Sequence, residues 1–113
     1  MATIKSFTDL QQSKVLAEIL PLESADMYWW PTSIRYYIEA MDDGDFNEEE
    51  GHIRAWSLAA LLGILPKGTN ISISDILNEV RYSCWNDYGI TYADNPVDAC
   101  VAMIETLHEL KIL

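Results

Sequence analysis

The sequence predicts an α+β fold, about three helices packed on a short antiparallel hairpin or sheet, with a mainly α fold as the alternative. Three observations carry this. Helix-start signals precede apolar stripes of helical spacing near both ends of the 113-residue chain. A nearly unbroken apolar segment in the middle is closed by Pro66-Lys67-Gly68 and has the length of a third helix. Between that segment and the last helix the pattern turns β-branched and aromatic around a turn sequence.

The first helix is expected over Asp9 to Leu20, with Thr8 as N-cap, Gln11 completing a capping box and Pro21 ending it. Val15, Leu16, Ile19 and Leu20 form its apolar stripe. Leu22 to Trp30 reads as irregular, because Pro31 disfavours helix at the residue before it. Ile34 to Ala40 reads as a strand from its β-branched and aromatic content, with a short helix from Thr32 or Ser33 as the other reading. Asp42 to Gly51 is an exposed acidic loop.

Ser57 to Leu65 is apolar almost all round, which predicts a helix buried on every side at the centre of the core. Ile71 to Ile73 fits a short strand, although Ser74 could instead begin a helix. Val80 to Trp85 and Ile90 to Ala93 predict a hairpin across the four-residue loop Asn86-Asp87-Tyr88-Gly89. The last helix has Asn95 as N-cap, Pro96 at its first position and Asp98 near the positive end of its dipole. Val97, Cys100, Val101, Ile104 and Leu107 mark its buried face; Asp98, Ala102, Glu105 and Glu109 mark the opposite one.

Length predicts one globular domain over residues 1–113, and half the residues are apolar, enough for a core without metal or disulfide. Eighteen acidic residues face seven basic ones, a net charge of −11. Such a chain repels phosphate backbones and anionic membrane surfaces, so the expected partner is a protein, with a homo-oligomer also compatible. Met1 to Leu10 lacks a signal-peptide pattern, which predicts a cytoplasmic location and reduced Cys84 and Cys100.

Catalytic, cofactor and metal motifs are not found. Cys84, Cys100, His52 and His108 lack the close pairing of a zinc site. Asp43, Asp45 and Asn47 alternate as calcium ligands do, but Glu48 stands where an EF-hand needs Gly and Arg54 where it needs a bidentate acid. Ser57 lacks a nucleophile elbow, and no phosphate-cradling Gly-rich loop occurs. The expected protein is therefore not an enzyme and carries no cofactor.

Two places suggest a partner. Tyr28, Trp29, Trp30, Tyr36 and Tyr37 cluster in sequence, and neighbouring side chains of an extended chain point to opposite faces, so one tryptophan could be exposed. Asp42, Asp43, Asp45, Glu48, Glu49 and Glu50 supply an acidic surface, which admits a second reading as a nucleic-acid mimic inhibiting a DNA-binding host protein. A small enzyme without a recognisable motif is the third.

Three segments bear on origin: Gln11-Gln12-Ser13-Lys14 through Ser24-Ala25-Asp26-Met27, Trp56-Ser57-Leu58-Ala59-Ala60-Leu61-Leu62, and Asn95-Pro96-Val97-Asp98-Ala99-Cys100 with Met103 and Leu107. Together they resemble an uncharacterised family of small proteins from gut Bacteroides genomes, prophages and mobile elements. The resemblance covers a little under half the chain. It implies a bacterial cytoplasmic or phage accessory context and strand-rich sequence between the second and third segments, and it brings no activity, cofactor or catalytic residue.

Overall fold

A computed structural model describes residues 5–41, 44–76 and 79–113. Among these, three α-helices and six strands form an α+β fold with two three-stranded antiparallel sheets. In chain order they are α1 Leu10–Ile19, β1 Met27–Pro31, β2 Tyr36–Ala40, β3 Ile53–Ala55, α2 Leu58–Ile64, β4 Asn70–Ile76, β5 Glu79–Asn86, β6 Gly89–Ala93 and α3 Pro96–Glu109. No helix among the described residues is long and apolar enough to cross a membrane.

Helix α1 starts one residue later than its sequence signal. Asp9 caps it by accepting from the Gln12 amide, and Gln12 reaches back to the Asp9 amide. A charged acceptor is the stronger partner for a helix N-terminus, and Thr8 is needed elsewhere. Its buried hydroxyl bonds Ser13 at 2.8 Å and accepts from the Trp56 amide at 3.1 Å.

Leu22 to Trp30 is not irregular throughout: a 3-10 turn at Leu22–Ser24 leads into β1, the central strand of the first sheet. Pro31 is tolerated at the end of β1, where it opposes Tyr36. The order of this sheet is β2-β1-β3, so the strand reading of Ile34 to Ala40 holds from Tyr36 onward. The three-residue β3 carries no strand signal of its own and is held by β1 and by α1 alongside. Asp42 and Asp43 of the acidic loop lie outside the described residues; its far end is a 3-10 turn, Glu48–Glu50, capped by Asn47.

Helix α2 corrects the expectation of burial all round. Only Leu61 is fully buried; Ala59, Leu62 and Gly63 are exposed, since this short helix meets α3 on one side only among the described residues. Ser57 does cap it, accepting from the Ala60 amide and donating to Asp26.

The second sheet has the order β4-β5-β6. Strand β4 continues through Ser74 to Ile76, so the helix alternative there is not taken. The β5–β6 hairpin is tighter than expected: Asn86 opposes Gly89, leaving Asp87 and Tyr88 as a two-residue loop. Helix α3 is as the sequence predicts, with the Asn95 side chain accepting from the Asp98 amide at 2.8 Å. It lies across one face of β5 and β6 and supplies Val97, Cys100, Val101, Met103, Ile104 and Leu107 to the core, which Leu16, Trp56, Leu61 and Cys84 complete. The core is centred on α3 rather than α2.

Candidate functional site

The sequence-predicted aromatic cluster divides between the two faces of the first sheet. Tyr28 is only 4% exposed, its ring stacked on His52 at 5.1 Å and edge-on to Phe46 at 5.8 Å, with its hydroxyl donating to Glu39 Oε2. Trp29 takes the opposite face, edge-on to Phe7 at 5.7 Å, and its Nε1 donates to the Thr8 carbonyl. Trp30 returns to the first face against Tyr37, ring centroids 5.2 Å apart, and the Arg35 guanidinium lies 4.8 Å above Tyr37. Both tryptophans are partly buried, as is Tyr36. Of the five, Tyr37 is the one that reaches solvent substantially. This cluster is mainly internal packing.

The acidic surface is partly engaged. Asp45, Glu48, Glu49 and Glu50 are exposed, but Glu48 Oε1 lies 3.2 Å from Arg54 Nε, and Glu50 Oε2 is 3.8 Å from His52 Nε2. His52 Nδ1 accepts from the Asn47 amide at 3.0 Å, which places the imidazole proton on the nitrogen facing Glu50. Arg54 also donates to the Leu20 carbonyl. Between this turn and α1 runs an open groove of about 470 Å³ lined by Lys14, Ala17, Glu18, Glu48, His52, Ile53 and Arg54. Its lining carries charges of both signs, and no group of three His, Cys, Asp or Glu side chains suited to a metal occurs among the described residues.

The larger exposed surface is one the aromatic count alone did not locate. On the second sheet, Trp85 pairs with Ile90 and Asn70, and Ser83 with Tyr92 and Ser72, so these side chains share the face turned away from α3. Trp85, Ile90 and Tyr92 are 43%, 51% and 52% exposed, and Tyr88 in the adjoining turn is 50% exposed. Trp85 Nε1 donates to Ser72 Oγ at 3.2 Å, which orients the indole on the sheet. The charges on this face stand at one end, where Arg81 pairs with Glu79 at 3.3 Å.

Why the large side chains of β6 face outward is a matter of size. Its inner positions are Thr91 and Ala93, which face α3 where Thr91 meets Ala99, and small residues on both sides let helix and strand approach closely. Thr91 Oγ1 donates to the Ala99 carbonyl at 2.7 Å, tying the helix to the strand. The signal in the sequence was the alternation of small and large along Ile90-Thr91-Tyr92-Ala93. Polarity alone would have turned Ile90 and Tyr92 inward.

Beneath the sheet, Cys84 and Cys100 are both fully buried and their thiols are neighbours. That contact, together with burial, pushes the Cys100 thiol up. Elsewhere Lys5 Nζ donates at 2.8 Å to each of Asp9, Gln12 and Asp98, while Gln12 and Asn95 also donate to Asp98. These polar groups tie the N-terminal segment and α1 to the start of α3. Set against protein-family models, curated proteins and solved structures, the chain matches none.

Proposed function

We propose that this chain is a non-catalytic protein-binding module whose docking surface is the outer face of the second sheet. The observation that carries the reading is the set Trp85, Ile90 and Tyr92 on one nearly uncharged sheet face with Tyr88 in the adjoining turn, each about half exposed. Tryptophan and tyrosine are enriched among the residues that dominate interface energy, because they bury large areas at small entropic cost. A bacterial cytoplasmic setting, as an accessory protein of a phage or mobile element, completes the proposal and rests on the resemblance of the three segments above.

The test is capture of partners from a bacterial lysate on the immobilised protein, at low salt and at about 0.5 M salt, where screening acts within about 4 Å. A partner of this face stays bound at high salt and is lost when Trp85→Ala and Tyr92→Ala are combined. Retention of that partner by the double variant would overturn the reading. The acidic mimic has one observation in its favour, three successive exposed carboxylates on the Glu48–Glu50 turn. Its partner would instead be a basic DNA-binding protein, released by salt and indifferent to Trp85 and Tyr92.

A further inference from the structure

Strand β4 is an edge of the second sheet. It pairs with β5 through seven consecutive partners, Asn70↔Trp85 to Ile76↔Glu79, without a bulge, and no strand among the described residues lies on its other side. Proteins blunt such edges with proline, lysine, bulges or short length. The run Asn70-Ile71-Ser72-Ile73-Ser74-Asp75-Ile76 has none of these, and Asp75 is its one charge. Other edges are shorter: β2 and β6 have five residues each, and β3 has three with α1 beside it. At the centre of β4, Ile73 is 66% exposed, beside Tyr82 on the face that α3 partly covers.

We propose that the β4 edge pairs with β4 of a second copy of this chain, antiparallel and centred on Ile73, joining two sheets into one of six strands. The strand is self-complementary in that register. Ile73 opposes its own counterpart, Ser72 opposes Ser74, and Ile71 opposes Asp75, so no like charges meet. Residues opposed across an antiparallel pair share a face, so the row Tyr82–Ile73 continues into Ile73–Tyr82 of the second copy and covers both isoleucines. The two-fold arrangement closes on itself. The contact is one strand long, about 23 Å at strand rise, so the dimer is weak and concentration-dependent. Each copy carries a charge of −11, and their repulsion makes association tighten as salt rises. The inference concerns an edge and does not depend on what docks on the Trp85 face.

Sedimentation velocity over a hundredfold range of protein concentration, at about 0.1 M and about 1 M salt, tests it. The expected result is a shift from monomer to dimer with concentration, severalfold tighter at the higher salt. Ile73→Lys, at an exposed position that the fold does not need, abolishes the shift while leaving the circular dichroism unchanged. Ile73→Cys forms an intermolecular disulfide with oxidised glutathione as oxidant, since opposed Cα atoms across an antiparallel pair lie within disulfide reach and Cys84 and Cys100 are buried. A chain monomeric under every condition overturns the proposal, as does a dimer that Ile73→Cys fails to crosslink.

Discussion

Lys5 shows how a single side chain can tie distant segments together. Burial alone would lower its pKa, but hydrogen bonds and charge from Asp9 and Asp98 outweigh this and raise it above 10.5. Asp98 mirrors it: burial works to raise its carboxyl, while hydrogen bonds from Lys5, Gln12 and Asn95 and the lysine charge hold it below its ordinary 3.8. Asp9 is lowered in the same way, its burial outweighed by the Gln12 amide and by Lys5. The carboxylates therefore stabilise the fold above their unfolded pKa, and that contribution is lost as pH falls through the depressed folded values. Lys5 contributes fully below its unfolded pKa and loses its contribution as pH rises through the raised one. Asp98→Asn should cost about 1 kcal/mol at neutral pH, a modest figure because the site is partly solvated. Urea unfolding followed by tryptophan fluorescence should show the gap to wild type shrinking toward zero as pH falls from the ordinary carboxylate range through the depressed folded value of Asp98. A gap independent of pH would mean that the ion pair does not stabilise the fold.

At the scale of elements, the packing of α3 on β6 depends on smallness, and substitutions on the strand's two faces should behave in opposite ways. Thr91→Ile removes the hydrogen bond to the Ala99 carbonyl and overfills the contact, for an expected cost of about 2–4 kcal/mol. Ile90→Thr, one residue away on the open face, should change stability by about 0.5 kcal/mol or less. Thermal melts of the two variants make the comparison. The same contrast explains what could be read in the sequence. Helices α1 and α3 were legible because caps and apolar stripes are local signals, and even the one-residue shift of the α1 cap arose from a non-local demand, the bonds of Thr8 to Ser13 and Trp56. Strands β1 and β3 were not legible, since one ends in proline, the other has three residues, and each exists through its pairing. Helix α2 misled for a related reason: small and apolar residues looked buried, while Ala59 and Gly63 tolerate exposure without advertising it. For the candidate site, aromatic residues crowded in sequence proved largely internal, and those that face solvent were spread across a hairpin, where only the strand faces reveal them.

The whole molecule combines a strongly negative body with a nearly uncharged sheet face, so salt should separate its contacts: carboxylate-driven ones weaken and sheet-driven ones persist. If two copies pair at β4, their Trp85 faces lie on the same side of one sheet, and a partner with two sites would gain from binding both. Buried Cys84 and Cys100 provide a probe of global stability. Both sit where α3 meets the second sheet, and the Cys100 thiol is pushed up by its neighbour and by burial. A bulky thiol reagent should label both residues together, at a rate that rises with urea in step with unfolding. Mass spectrometry of the labelled protein would contradict this placement if either thiol reacted in the native state. The position of α3 also bears on synthesis. Leu16, Trp56, Leu61 and Cys84 come from four earlier parts of the chain and share one buried cluster with side chains of residues 96–109. Until residues 96–109 have been made, β5 and β6 lack the helix that covers one of their faces. Those strands must wait, with β4 and its exposed isoleucine beside them, so the interval before α3 emerges is when the growing chain depends most on chaperones.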